Sequence, residues 1–186
     1  MLDVDDNKYI YTTEARTSSL LKALYDYARS EQSIGQEIDG ELISTQFTVV
    51  ERIKNEVKKN YELTIIDRNS VISSTGKEWT IDPGNLVDQL SVYLALSIDI
   101  QKNPDQVEFI YQVADEDGVE YQKFLVEGYQ TITIKDNEIE TILINCPELN
   151  LSLNLSIQHN FQPVLIHKIN GNSEFKLLLK KFKTPT

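Results

Sequence analysis

One stretch, Leu86 to Ile100, carries a helical repeat in a chain whose other apolar runs alternate. Val87, Leu90, Leu94 and Ile98 recur at steps of three and four and share one helical face. Leu86, Tyr93, Leu96 and Ile100 supply a second apolar face. A helix that is apolar on most sides belongs in a core. Asp82-Pro83-Gly84 turns the chain ahead of it, and Asp88 suits the positive end of a helix dipole. Asn103-Pro104 stops it, because the residue before a proline avoids the helical region. The pattern predicts a helix over 86–100 wrapped as a plug by curved sheet. A helix lying on one face of a flat sandwich is the alternative.

The remaining runs read as strands. Tyr9, Tyr11 and Thr13 share one side of an extended segment, Lys8 to Thr17. Ser18 and Ser19 precede a short apolar run, an N-cap signal for a helix over 19–25. Tyr27 to Glu37 and Glu41 to Arg52 flank Asp39-Gly40, a two-residue hairpin signal. Lys58 to Ile66 and Val71 to Ser74 flank Asp67-Arg68-Asn69, and Val107 to Val113 alternates after the helix. Val119 to Val126 pairs back past Asp115-Glu116-Asp117-Gly118, and Thr131 to Ile134 and Ile139 to Ile144 flank Lys135-Asp136-Asn137. Leu149, Leu151, Leu153, Leu155 and Ile157 alternate with Asn150, Ser152, Asn154, Ser156 and Gln158, the pattern of a strand with one wet face. Pro163 to Lys168, the turn Asn170-Gly171 and Phe175 to Phe182 complete the chain. The expected fold is mainly β. It is a single antiparallel, strongly curved sheet or partly open barrel of about ten strands around the 86–100 helix, with the short 19–25 helix. All 186 residues fall in one domain with short flexible tails.

Composition removes several functions. The formal net charge is −11, so phosphate backbones and anionic head groups are repelled and nucleic acid is not an expected partner. No apolar run is long enough for a transmembrane helix. The opening Met1 to Asp6 is acidic where a signal peptide would be basic and then apolar. The lone Cys146 allows no internal disulfide, which fits the cytoplasm and also a periplasmic protein that does without disulfides.

No catalytic constellation, metal site or cofactor site is expected. His159, His167 and Cys146 are not grouped as zinc requires. Asp115, Asp117 and Gly118 begin like a calcium loop, but Val119 and Val126 stand where oxygen ligands are needed. Ser91 lies near Asp88 without a neighbouring histidine, and no Gly-x-Ser-x-Gly elbow occurs. Seven glycines include no phosphate-binding loop. Nine tyrosines remain, with Tyr9 and Tyr11, and Tyr25 and Tyr27, spaced to share strand faces and line a groove. Ordinary cross-strand packing is the favoured reading of them.

Several segments together resemble the bacterial domain-of-unknown-function family 3108 over nearly the whole chain. They are Ala15 to Leu21, Tyr25-Asp26-Tyr27, Ser30 to Ser33, Asp39-Gly40, Asp82-Pro83, Asp88-Gln89-Leu90-Ser91, Tyr121 to Gly128 and Gln162-Pro163-Val164. The chain departs from the family at Lys135-Asp136-Asn137 and at the Leu151 to Leu155 run. The resemblance implies a β-rich exported protein, hence the periplasm with its signal removed ahead of Met1, and the cytoplasm is the alternative location. It brings no activity and no catalytic residues. Two functions are expected, neither enzymatic. One is an envelope protein binding an apolar ligand, a lipid or acyl chain, at Leu90, Tyr93, Leu94 and Ile98. The other is a structural or protein-interaction module of the envelope with a filled core.

Overall fold

The structure, a computed structural model, describes residues 2–5, 7–16, 26–171 and 173–178. Its first sheet is an antiparallel meander of seven strands in chain order. These are β1 (Leu2–Asp5), β2 (Lys8–Arg16), β3 (Tyr27–Ile38), β4 (Glu41–Ile53), β5 (Glu56–Ile66), β6 (Ser70–Ser73) and β7 (Glu78–Thr80). The turns are those the residues favour. Asp39 and Gly40 both take positive φ, 53° and 75°, and close the β3–β4 hairpin with Ile38 opposite Glu41.

The second sheet also has seven strands. They are β8 (Leu86–Asp88), β9 (Glu108–Ala114), β10 (Val119–Ile134), β11 (Asn137–Cys146), β12 (Leu151–Ser156), β13 (Gln162–Asn170) and β14 (Ser173–Leu178), in the order β14-β13-β12-β11-β10-β9-β8. An α-helix, α1 (Val92–Lys102), lies between β8 and β9 in the chain. It is too short to cross a membrane as a helix.

The residues group into two compact units: Met1–Val92 with Gln112–Glu120, and Tyr93–Tyr111 with Tyr121–Thr186. In the first, Phe47, Val49, Leu63 and Val71 are wholly buried, and Leu86, Val87 and Leu90 nearly so. In the second, α1 buries Leu94, Leu96 and Ile100, and the strands bury Phe124, Ile144, Leu153 and Leu155. Tyr111 donates to Asp99 at 2.6 Å, and the amide of Gln101 donates to the carbonyls of Ser97 and Asn160. These bonds hold α1 to β9 and to the left-handed turn at Asn160 and Phe161.

Four expectations are corrected. Among the described residues there are two sheets and fourteen strands, not one sheet of about ten, because β1, β7 and β8 are too short to show an alternating pattern. The helix spans 92–102, not 86–100. Asp88 ends a strand and caps the turn into α1, so Leu86 and Val87 are extended. The pairing is not wholly antiparallel, since Leu86, Val87 and Asp88 run parallel to Gln112, Val113 and Ala114. The polar face of the Leu149–Ile157 run is wet only towards its ends. Asn150 and Gln158 are exposed and Ser152 is half-buried, but Asn154 and Ser156 are buried, and the Asn154 amide donates to the Thr141 hydroxyl at 3.1 Å. The short helix over 19–25 and the end of the last expected strand lie outside the described residues.

Candidate functional site

The inner face of the first sheet is set by strand register. Tyr9 stands opposite Gly35, Tyr11 opposite Ser33 and Thr13 opposite Glu31. On the next strand Ser33 faces Phe47, Glu31 faces Val49 and Arg29 faces Glu51. Beyond these lie Leu63 and Tyr61 of β5. Paired residues share a face, so this side runs from a polar end through an apolar middle to a charged end.

At the polar end sits Asp88, with no exposed surface. A β-bulge in β4 makes this possible. Ile34 pairs with Gln46 but Gly35 pairs with Ser44, so one extra residue, Thr45, turns Ser44 inward. The hydroxyls of Ser33, at 2.6 Å, and Ser44 both donate to Asp88 Oδ2. The backbone N–H groups of Leu90 and Ser91 donate to Oδ1, each at 2.8 Å. The Asp88 N–H donates back to Ser91 Oγ at 3.0 Å, a reciprocal cap that stops β8 and starts the turn into α1. Ser33 spends its proton on Asp88, so the Tyr9 hydroxyl is the donor in the 3.2 Å bond between them. Burial, opposed by these hydrogen bonds, pushes the Asp88 carboxyl above the usual aspartate range. Burial first, and then the Asp88 charge, pushes the Tyr9 phenol up to about 12.

At the charged end Arg29 bridges two carboxylates. Its guanidinium donates to Glu31 from Nε at 2.8 Å, with Nη2 at 2.6 Å from the same oxygen, and to Glu51 from Nη1 at 3.2 Å. Thr13 donates to Glu31 at 3.0 Å and Tyr27 donates to Glu51 at 3.2 Å. Lys59 pairs with Glu116 at 2.7 Å and sits 5.5 Å from the centre of the Tyr61 ring. Burial keeps Tyr11, Tyr27 and Tyr61 protonated and able to donate. The three charged side chains of the bridge are between a fifth and a quarter exposed, at 24%, 22% and 21%. Arg29→Gln strands two carboxylates on adjacent strands without their cation. It is expected to cost about 1–2 kcal/mol, more than a solvated surface pair. Urea denaturation checks this, and a loss below about 0.3 kcal/mol would mark the bridge as solvent-screened.

The residues expected to bind a ligand are spread between the units. Leu90 is 2% exposed in the first unit, and Leu94 is 7% exposed in the second. Tyr93 and Ile98, also in the second unit, are half-buried. Tyr9 and Tyr11 do share a strand face, as their spacing suggests, while Tyr25 lies outside the described residues. Sequence reasoning missed the Arg29 bridge. Its signal is the period-two run Tyr27, Arg29, Glu31, Ser33, which places four polar side chains on one face of β3. Among the described residues no group of three or more His, Cys, Asp or Glu side chains is arranged to hold a metal. Cys146 is buried, and burial pushes its thiol up to about 11, away from nucleophilic use.

No protein-family model matches the chain, and no curated protein matches it. Among solved structures it is similar to the crystal structure of a beta-barrel-like protein of domain of unknown function DUF1849 from Brucella abortus. The two are 15% identical with a TM-score of 0.52, over 93% of this chain and 80% of that one. At this identity the likeness is one of fold alone. It supports a β-rich, barrel-like fold of the kind found in an uncharacterised domain, and it does not single out family 3108.

Proposed function

We propose that the protein is a non-enzymatic recognition module of the bacterial cell envelope whose apolar cores are filled by its own side chains. One observation carries this reading: Leu90 and Leu94, which an acyl chain held against the helix would have to touch, are already 2% and 7% exposed without it. The chemistry within reach of solvent is instead the half-buried Arg29 bridge, with Tyr27 bonded to it. Tyrosine and arginine are the residues that dominate recognition surfaces. The resemblance to exported β-rich proteins supports the envelope as its place.

The test is native mass spectrometry of protein taken from the periplasm, followed by organic extraction. A clean apo mass is the expected result. A stoichiometric apolar adduct would replace this reading with that of a lipid or acyl-chain carrier. Leu94→Ala sharpens the distinction. It is expected to lower stability by about 2–5 kcal/mol, as for a core truncation, and to leave the extract unchanged. A fall in bound apolar material would return Leu94 to a ligand site.

A further inference from the structure

We propose that Asp88 is an internal proton-binding site of the first unit, at which mild acidification tightens the hold of β3 and β4 on the end of β8. The geometry makes its two oxygens unequal. Oδ1 faces two backbone N–H groups, which can only donate. Oδ2 faces two serine hydroxyls, each able to donate or accept. A proton therefore fits on Oδ2. Rotating the Ser44 hydroxyl turns it from donor to acceptor, and no heavy atom has to move. The Ser33 hydroxyl stays a donor, held in that role by the Tyr9 phenol.

No cation touches the carboxylate among the described residues. The titratable group facing it from β2 is Tyr9. The β3 and β4 partners are serines, and Ala114 stands opposite on β9. The neighbouring Asp115 is engaged elsewhere, accepting from the Gln89 amide and from the N–H groups of Asp117 and Gly118. Glu31, next on the inner face of β3, is bound to Arg29. An anion buried without a counter-ion holds its proton more tightly than the same group in the unfolded chain, and burial raises the Asp88 pKa accordingly. The native state therefore binds this proton before the unfolded state does. This group adds stability as pH falls through its native pKa towards the ordinary aspartate value of about 3.9.

Asp88→Asn is the test, since its amide is neutral at every pH, as the protonated carboxyl is. Its nitrogen, unlike Oδ2, accepts no hydrogen bond, so Ser33 has to turn and accept from it. Urea unfolding of wild type and variant is compared from about pH 8 to about pH 4. All other carboxylates titrate in both proteins, and their contributions cancel in the difference. The wild type is expected to gain on the variant as pH falls, by up to about tenfold in the unfolding equilibrium constant per pH unit within the window. A flat difference, or a gain in the opposite direction, overturns the proposal. If the variant does not fold, carbon-13 NMR of aspartate-labelled wild type decides. The Asp88 carboxyl carbon is expected to titrate above the ordinary aspartate range, and a midpoint at or below that range sinks the idea.

Discussion

Gly35→Ala is expected to destabilise the protein by about 3–5 kcal/mol, lowering the urea midpoint without changing the slope. Gly35 is buried in β3, and a methyl group there would run into the Ile43 backbone carbonyl and lie 2.6 Å from the Tyr9 ring. The ring could swing, but the carbonyl belongs to the bulged strand and cannot move without undoing the bulge. That bulge aims Ser44 at Asp88, so one methyl group disturbs both the packing and the polar seat. A loss below about 1 kcal/mol would show that β4 shifts freely at this point.

The second large effect is at Asp88 itself. Asp88→Ala removes the acceptor for two buried hydroxyls and two buried N–H groups at once. Each unpaired buried donor costs about 1–3 kcal/mol. The hydroxyls can turn to each other in part, so about 4 kcal/mol is expected rather than the full sum. Thermal and urea unfolding should agree on it. Hydrogen exchange should show the loss first at the amides of Leu90 and Ser91. If those two amides stay protected in the variant, the carboxylate is not what holds the turn.

Much of this architecture is legible in the chain. Asp39-Gly40, Asp67-Arg68-Asn69 and the Lys135-Asp136 pair mark hairpins that form where their residues favour left-handed backbone. The turn at Lys54 and Asn55 has the same make-up as Lys135-Asp136, a lysine followed by a residue that tolerates left-handed backbone, and sequence reasoning missed it. β10 reads as two runs, and it is one strand of 16 residues broken by a bulge at Gly128. The helix is legible, but its start is misplaced into the preceding strand. Leu86 and Val87 satisfy a helical repeat and a buried strand equally, and periodicity alone does not separate the two. Asp88 reads locally as a charge near a helix dipole. Its real partners, Ser33 and Ser44, lie 55 and 44 residues away. Ser44 is also on the wrong parity with Phe47 and Val49 to share their face, until the bulge is known. Long-range pairing and a single-residue shift in register leave no local mark, so the polar seat could not be read from spacing.

The first unit is assembled from two separated pieces of chain, and this governs how it can be made and cut. Synthesis delivers β1 to β7 as a run of hairpins, each closed by a neighbour already present. β8 emerges with its serine seat already built, but its strand partner, Gln112 to Ala114, arrives more than twenty residues later. Until then Leu86 and Val87 have unpaired backbone along that edge. A fragment ending at Val92 would carry the same exposed edge permanently. Fusion or insertion therefore belongs at a hairpin tip such as Lys135-Asp136, where the chain has no unfinished partner to wait for.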